Sequence, residues 1–139
     1  MTEIAFTIPG TPIAKGRPRF ARRGNYVTAY TPKKTANYES LVRIYASQAM
    51  QGVSVIDGAV SVSICLYVAP PASWPKKKRL SALNGEIYPT SRPDAENIAK
   101  AINDACNALV WADDSQIVDQ FVSKRYSESA RAVVQVRAL

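Results

Sequence analysis

The chain has 139 residues, a formal net charge of +7 and 47% hydrophobic residues, which predicts one globular domain over residues 1–139. It contains no histidine, which excludes Ser-His-Asp and Cys-His catalysis and histidine-bound metals. Its cysteines, Cys65 and Cys106, form no CxxC pair, so we expect neither a disulfide framework nor a thiolate metal site. The chemistry must therefore come from carboxylates, lysines, hydroxyl groups and a bound metal.

The positive charge favours a polyanionic partner such as nucleic acid, although many small proteins are basic without one. No stretch is apolar enough to span a membrane, and the N-terminus lacks the pattern of a signal peptide. We therefore expect a cytoplasmic protein with no membrane contact. No GxxxxGK[ST] phosphate loop occurs, so we expect no nucleotide cofactor.

The first part of the chain predicts a strand, a basic segment and a helix. Apolar and other residues alternate over positions 3–8, which is typical of a half-buried strand. Residues 11–34, here called the basic segment, contain seven Lys or Arg and no acidic residue, with aromatic residues between them. This composition indicates a long basic loop or hairpin. Thr31 as N-cap and Pro32 as first helical residue then predict a helix that extends to about residues 51–52.

The second part predicts a strand, a helix and two more strands. Aliphatic residues occupy every second position of 59–68, which predicts a strand. The basic run 76–79 indicates a loop or the start of a short helix. Apolar residues at helical spacing predict a helix over about 95–109, followed by strands over 116–126 and 130–139. The fold class expected is α+β, with a mixed or antiparallel sheet of about four strands and two main helices.

Acidic residues are few, and five of the eleven lie between Asp94 and Asp114. Two flank the start of the predicted helix and two lie in the turn that follows it. Asn97, Lys100 and Asp104 recur at helical spacing on a flank away from the apolar stripe. If the chain folds back, several carboxylates meet beside a lysine. Hard oxygen ligands without His or Cys suit Mg²⁺ or Mn²⁺.

Each of these groups also has an ordinary structural explanation. Asp94 fits a helix cap, Glu96 and Lys100 an (i,i+4) ion pair, and the Asp113-Asp114 pair a solvated turn. Together, in a basic protein, they favour phosphodiester hydrolysis, in which a metal activates water and a lysine stabilises the developing charge. A PD-(D/E)xK nuclease is not supported, because no Glu-x-Lys occurs.

Two motifs here resemble the RusA family of Holliday junction resolvases. Asp94-Ala95-Glu96-Asn97-Ile98-Ala99-Lys100 is similar to the family's Asp-x-Asp-Asn-x-x-Lys helix start, and Asp113-Asp114-Ser115-Gln116-Ile117 to its Asp-Asp-x-x-Val/Ile turn. The segment Lys15-Gly16-Arg17-Pro18-Arg19-Phe20 is similar to the phage and prophage branch of that family. One difference is Glu96, where the family usually has Asp.

The resemblance implies these catalytic residues: Asp94, Glu96, Lys100 and Asp114. The three carboxylates among them would bind the metal, with Asp113 as a further candidate ligand and with Asn97 and Asp104 in support. The metal implied is Mg²⁺, with Mn²⁺ as a substitute. The resemblance also implies a homodimer on branched DNA, whose two sites nick a two-fold symmetric junction in pairs. Glu96 is one methylene longer than Asp, which bears on rate and metal preference.

Basic residues outside the acidic cluster are candidates for DNA contact. The functional interpretation gives the basic segment phosphate contacts, with Phe20, Tyr26 or Tyr30 stacked at an open junction centre. The alternative is a solvated loop with ordinary aromatic packing, and the run 76–79 is either a second phosphate patch or plain surface. The candidate DNA-binding residues are Lys15, Arg17, Arg19, Arg22, Arg23, Lys33, Lys34, Lys76 and Lys77.

The sequence therefore predicts a Mg²⁺-dependent endodeoxyribonuclease that resolves four-way junctions in DNA recombination and repair. Two alternatives stay open. One is a junction-binding protein with weak or no catalysis, in which Glu96 impairs the metal site. The other is a metal-dependent nuclease that acts on a broader range of branched substrates or on RNA. A test for metal-dependent cleavage distinguishes the first alternative from the predicted resolvase. Competition between branched and linear substrates distinguishes the second.

Overall fold

The structure is a computed structural model that describes residues 2–139. The strands, in chain order, are β1 (Glu3–Pro9), β2 (Arg19–Arg23), β3 (Tyr26–Tyr30), β4 (Val60–Val68), β5 (Ile117–Tyr126) and β6 (Arg131–Ala138). The helices are α1 (Lys33–Ala49), α2 (Lys76–Leu83) and α3 (Ala95–Cys106). A short 3₁₀ helix, Asp114–Gln116, comes directly before β5. Within residues 2–139, no helix combines the length and apolar character needed to cross a bilayer.

The main sheet has the strand order β1-β6-β4-β5 and is mixed. β6 pairs antiparallel with both β1 and β4, whereas β4 and β5 pair in parallel. β5 and β6 follow each other in sequence but do not pair, because β4 lies between them. Their connection passes the end of β4, where the amide of Ser127 donates to the carbonyl of Val68 at 2.9 Å. The α+β class and the four-stranded sheet are confirmed.

The hydrophobic core lies between one face of this sheet and the helices α1 and α3. Strict alternation in β4 turns Val60, Val62, Ile64 and Leu66 inward, and all four are at most 1% exposed. Burial of each such side chain stabilises the fold by about 1.5–3 kcal/mol relative to full exposure. Trp111 is also completely buried, and it anchors the turn between α3 and β5.

Two helix ends differ from the sequence expectation. Thr31 is not the N-cap of α1, because Pro32 takes that position with an extended backbone and the helix begins one residue later. α3 ends at Cys106 and not near Leu109, since the chain turns there and Ala108 adopts a positive φ of 67°. Leu109 still packs against the core, from the turn and not from the helix.

The middle of the basic segment forms a β-hairpin separate from the main sheet. β2 and β3 pair with each other, from Arg19 opposite Tyr30 to Arg23 opposite Tyr26. A two-residue turn joins them, and its first residue, Gly24, has a φ of 63° that glycine adopts without strain. The hairpin therefore carries its basic and aromatic side chains away from the core.

Candidate active site

Helix α3 carries most of the predicted site on its polar flank. Ile98 and Ile102 are completely buried against the sheet, so the opposite flank faces solvent. Asp94 occupies the N-cap position, but its carboxylate makes no capping hydrogen bond. Instead, the side-chain amide nitrogen of Asn97, Nδ2, donates to Asp94 Oδ2 at 3.5 Å. The helix-cap explanation of Asp94 is therefore not supported by a capping contact.

An open recess of about 340 Å³ lies between α3, the 3₁₀ helix and β5. The lining residues are Glu96, Asn97, Lys100, Asn103, Asp104, Asp114, Ile117 and Gln120. Five of the predicted site residues are thus in one place. Asp94 and Asp113 do not line this recess. The chain folds back as expected, so that the helix start and the following turn converge.

A buried side chain holds Asp114 in the recess. The indole N–H of Trp111 donates to Asp114 Oδ1 at 2.8 Å. Nearby, burial raises the pKa of the Cys106 thiol to about 12, and the negative charge of Asp114 adds to that shift while Arg43 opposes it. Cys106 is therefore a buried, protonated thiol at neutral pH.

Asp113 stabilises the turn that carries Asp114. Its carboxylate accepts a hydrogen bond from the backbone N–H of Ser115 at 2.9 Å, while its own N–H donates to Gln116 Oε1 at 2.8 Å. The contact with Ser115 lowers the pKa of Asp113. The side-chain amide nitrogen of Gln116, Nε2, also donates to the backbone carbonyls of Ile56 and Gly58, at 2.9 and 2.7 Å. The turn is thus fixed to the segment before β4.

Lys15 lies at the edge of the recess in a cluster of charged side chains. Its Nζ is 2.5 Å from Glu39 Oε1 and 3.1 Å from Asp104 Oδ2, and Lys100 Nζ is 4.0 Å from that same Asp104 oxygen. Its backbone N–H donates to the carbonyl of Asn97 at 2.8 Å. Burial acts to lower the pKa of Lys15, but Glu39 and Asp104 together outweigh it and raise the pKa.

Sequence reasoning missed three residues near the site. Glu39 is only 7% exposed and reaches the cluster from α1. Its signal in the sequence is an acidic residue next to Tyr38 on the apolar face of a predicted helix. Asn103 donates to Gln120 in the recess wall. Arg92 stands just before the motif that begins at Asp94 and lines a neighbouring cleft.

The recess offers donors suited to a hydrated hard cation. Within residues 2–139, no three acidic or cysteine side chains are grouped closely enough to enclose a metal. Glu96 and Asp114 nevertheless share the recess, and Mg²⁺ is usually held by one or two carboxylates together with waters and substrate phosphates. Asn103 Oδ1 is buried there without a hydrogen-bond donor from the described residues.

The nine predicted DNA-contact residues lie in several places. Lys15 is in the charged cluster beside the recess, where it pairs with Glu39 and Asp104. Arg22 and Arg23 lie on the hairpin, and Lys76 and Lys77 lie at the start of α2. The cleft next to the recess is lined by three of the remaining ones: Arg17, Arg19 and Lys34. Lys33 is the first residue of α1. Contact of these side chains with DNA stays a prediction.

An α+β domain with carboxylates and a lysine in one recess, next to a basic surface, has the features of a metal-dependent nuclease. Comparison with known sequences agrees. The family model described as Endodeoxyribonuclease RusA matches residues 9–137, and the chain therefore belongs to the RusA family of endodeoxyribonucleases. It is also 40% identical over 136 residues to YqaN of Bacillus subtilis (strain 168), a protein described as uncharacterized, across 96% of this chain and 95% of that relative. The family resemblance and the enzyme class are confirmed.

Proposed function

We propose that this protein is a Mg²⁺-dependent endonuclease that resolves four-way DNA junctions, in DNA recombination and repair in the cytoplasm. The observation that carries the proposal is the convergence of Glu96, Asp114 and Lys100 in one recess of a RusA-family chain. A homodimer is part of the proposal, because paired nicks in a two-fold symmetric junction need two symmetric sites.

The recess residues have distinct roles in this proposal. Glu96 and Asp114 would hold Mg²⁺, or Mn²⁺ in its place, with Asp94 as the third carboxylate of the two sequence motifs. When bound there, the metal would supply an activated water and would neutralise charge on the scissile phosphate. Lys100 places its ammonium group beside that phosphate, where it stabilises the negative charge that develops in the transition state. Asp104 orients Lys100 through their ion pair.

The longer side chain of Glu96 gives a specific test of the metal site. Mg²⁺ demands near-ideal octahedral geometry, and a displacement of about 1 Å costs on the order of 10²-fold in rate. We therefore expect Glu96→Asp to raise the cleavage rate in Mg²⁺, and to raise it less in the geometrically more tolerant Mn²⁺. Single-turnover cleavage in each metal measures this. A lower rate in both metals would show that the recess is built around the longer glutamate.

The basic hairpin and the cations beside the recess bind DNA in this proposal. Phe20 and Tyr26, which are 71% and 63% exposed, lie on opposite faces of the hairpin and are suited to stacking on unpaired bases. Each arginine of β2 adds a phosphate contact. Such contacts position the enzyme without reading sequence.

The decisive experiment is a denaturing gel of an end-labelled four-way junction and a linear duplex of the same sequence. Each is incubated with Mg²⁺, with Mn²⁺ or with EDTA, and the Asp114→Asn variant is run beside the wild type. We expect paired, metal-dependent nicks in the junction only. Tight junction binding without nicks in either metal would favour the catalytically weak alternative, and equal cleavage of the duplex would contradict the proposed specificity.

A further inference from the structure

A second concave surface lies beside the recess. It is a cleft of about 680 Å³ between the segment after β1, the start of α1 and the segment before α3. Its volume is comparable with that of small-molecule binding sites. The proposed cleavage chemistry does not use this cleft, and the DNA contacts proposed above do not account for its concave shape or its apolar lining.

The cleft is lined by cations without a counter-charge. Arg17, Arg19, Lys34 and Arg92 line it, and no acidic residue does. None of the four forms an ion pair within residues 2–139. Four like charges around one concavity repel one another, so an anion bound between them is stabilised. This indicates a phosphate-bearing ligand.

Most of the remaining lining is apolar and rich in proline. Pro12, Pro18, Pro32 and Pro93 contribute to it. Proline rings present flat hydrocarbon surfaces and no backbone N–H, so they suit the face of a planar ring and not a phosphate alone. Grooves that bind single strands combine the same two features, a positive track for the backbone and flat surfaces for the bases. A paired base keeps its faces stacked inside the duplex and cannot offer one to this lining.

The cleft also leads directly to the proposed catalytic recess. Arg17 lines both the cleft and a smaller hollow that contains Lys15, Asn97 and Lys100. Asn97 and Lys100 in turn line the acidic recess. The three hollows are therefore contiguous, and a strand whose scissile phosphate lies in the recess can extend past Lys100 and Arg17 into the cleft.

We propose that the cleft binds one unpaired nucleotide of the strand that is cut, with its phosphate between Arg17 and Arg92 and its base on the proline-rich surface. The inference rests on the proposed function, since it assumes a DNA substrate. It also supplies a source of selectivity. Taking a base out of a duplex costs free energy, and the cost is smallest where pairing is already broken. Branched DNA meets that condition at its branch point.

A single abasic nucleotide, moved stepwise along the cut strand of a junction, tests the inference. Binding is measured by fluorescence anisotropy in EDTA, so that cleavage does not interfere. We expect one position near the cut to weaken binding by about tenfold, the loss typical of one stacked base. Neighbouring abasic positions should change binding by less than about twofold.

Variants of the cleft then locate that nucleotide. Thr11 is an exposed lining residue, and Thr11→Glu and Thr11→Gln add side chains of the same size that differ in charge. We expect the Thr11→Glu and Arg92→Gln variants each to bind the intact and the abasic junction with equal affinity. Once the cleft no longer holds the nucleotide, removal of its base has no further effect, because two changes at one contact are not additive. Thr11→Gln and Arg137→Gln, the latter on the far face of the sheet, should retain the difference between the two junctions.

Two results would overturn the inference: no abasic position affects binding, or the sensitive position responds equally in the Thr11→Glu variant and the wild type. Neither depends on catalysis. A protein that binds the junction and fails to cut it contradicts the proposed function, but it still shows the abasic response if the cleft holds a nucleotide. A protein that cuts junctions normally without that response contradicts the cleft inference alone.

Discussion

The acidic recess and the β2–β3 hairpin differ in how firmly the protein holds their side chains. In the recess, Asp114 accepts a hydrogen bond from the completely buried Trp111, and Lys15 joins carboxylates from two helices. In the hairpin, the two strands pair only with each other, and Phe20 and Tyr26 are mostly exposed. One region is fixed by the core, whereas the other extends from it.

This difference corresponds to two tasks. Groups that act on a reacting atom must be held to within about 0.5 Å, which requires contacts with the rigid core. Groups that bind a flexible polyanion need positive charge and a position that extends from the core. Their exposed apolar surface is buried only when a partner covers it. Substitutions in the recess should therefore change the rate of cleavage, and substitutions in the hairpin should change affinity.

The largest effect is expected for Asp114→Asn. Asparagine keeps an oxygen that accepts from Trp111, so the fold and its Tm should not change, while the loss of a metal-binding charge should slow cleavage by at least about 10²-fold. Junction affinity should stay the same or increase, because a negative charge near a phosphate is removed. Single-turnover cleavage and anisotropy measure the two quantities. Asp57→Asn, at an exposed acid outside the recess, is the matched control.

Normal cleavage by Asp114→Asn would remove this carboxylate from the catalytic site and would leave Glu96 as the only proposed metal-binding carboxylate in the recess. A loss of both cleavage and Tm would show that Asp114 acts on the fold and not on the metal.

The next effect is expected on the hairpin. Replacing Arg22 and Arg23, the two hairpin arginines that do not line the cleft, with glutamine should weaken junction binding by about tenfold and reduce the log–log salt slope by roughly 0.9 for each phosphate that the protein no longer neutralises. The rate of the bound complex and the Tm should not change, because these side chains lie outside the core. Binding titrations over a range of salt concentrations test this, with Arg131→Gln and Arg137→Gln as controls. An unchanged slope would remove the hairpin from the DNA-binding surface.

The elements were predictable wherever one periodic pattern determined them. The strand over 60–68 and the start of α3 match the expected positions because alternation and helical spacing are unbroken there. The end of α3 was not predictable, since Leu109 continues the helical spacing although the chain turns at Ala108. Periodicity reports which face is buried, and a turn that returns to the same core satisfies it equally well.

The site was only partly predictable for a related reason. Motif spacing identified the residues of α3 and the turn after it, which lie close in sequence. The contact of Lys15 with Glu39 joins residues 24 positions apart, on a loop and on a helix face, and no local pattern contains it. An acidic residue on an apolar helix face indicates an unseen cationic partner, but it does not identify that partner.

The smallest effect is expected for Glu39→Gln. This variant tests how much the rigidity of the recess depends on the contact between Lys15 and Glu39. Lys15 would keep Asp104 and a neutral hydrogen bond, so we expect a loss of about 1–3 kcal/mol in the free energy of unfolding, the range for a charge-assisted hydrogen bond. Cleavage should slow severalfold, because Lys15 then draws Asp104 away from Lys100. Urea unfolding and single-turnover cleavage measure the two effects.

The pH dependence of the folding stability tests the same contact between Lys15 and Glu39. The carboxylates raise the pKa of Lys15 above its ordinary value of 10.5, so the folded protein holds that proton more tightly than the unfolded chain. The stability from the ion pair is therefore fully present below pH 10.5 and is lost as the pH rises through the folded pKa. The difference between the wild type and Glu39→Gln should be constant near neutral pH and shrink in alkali. A difference that persists unchanged at high pH would mean that Glu39 acts through packing, and the recess would then owe its rigidity to the core alone.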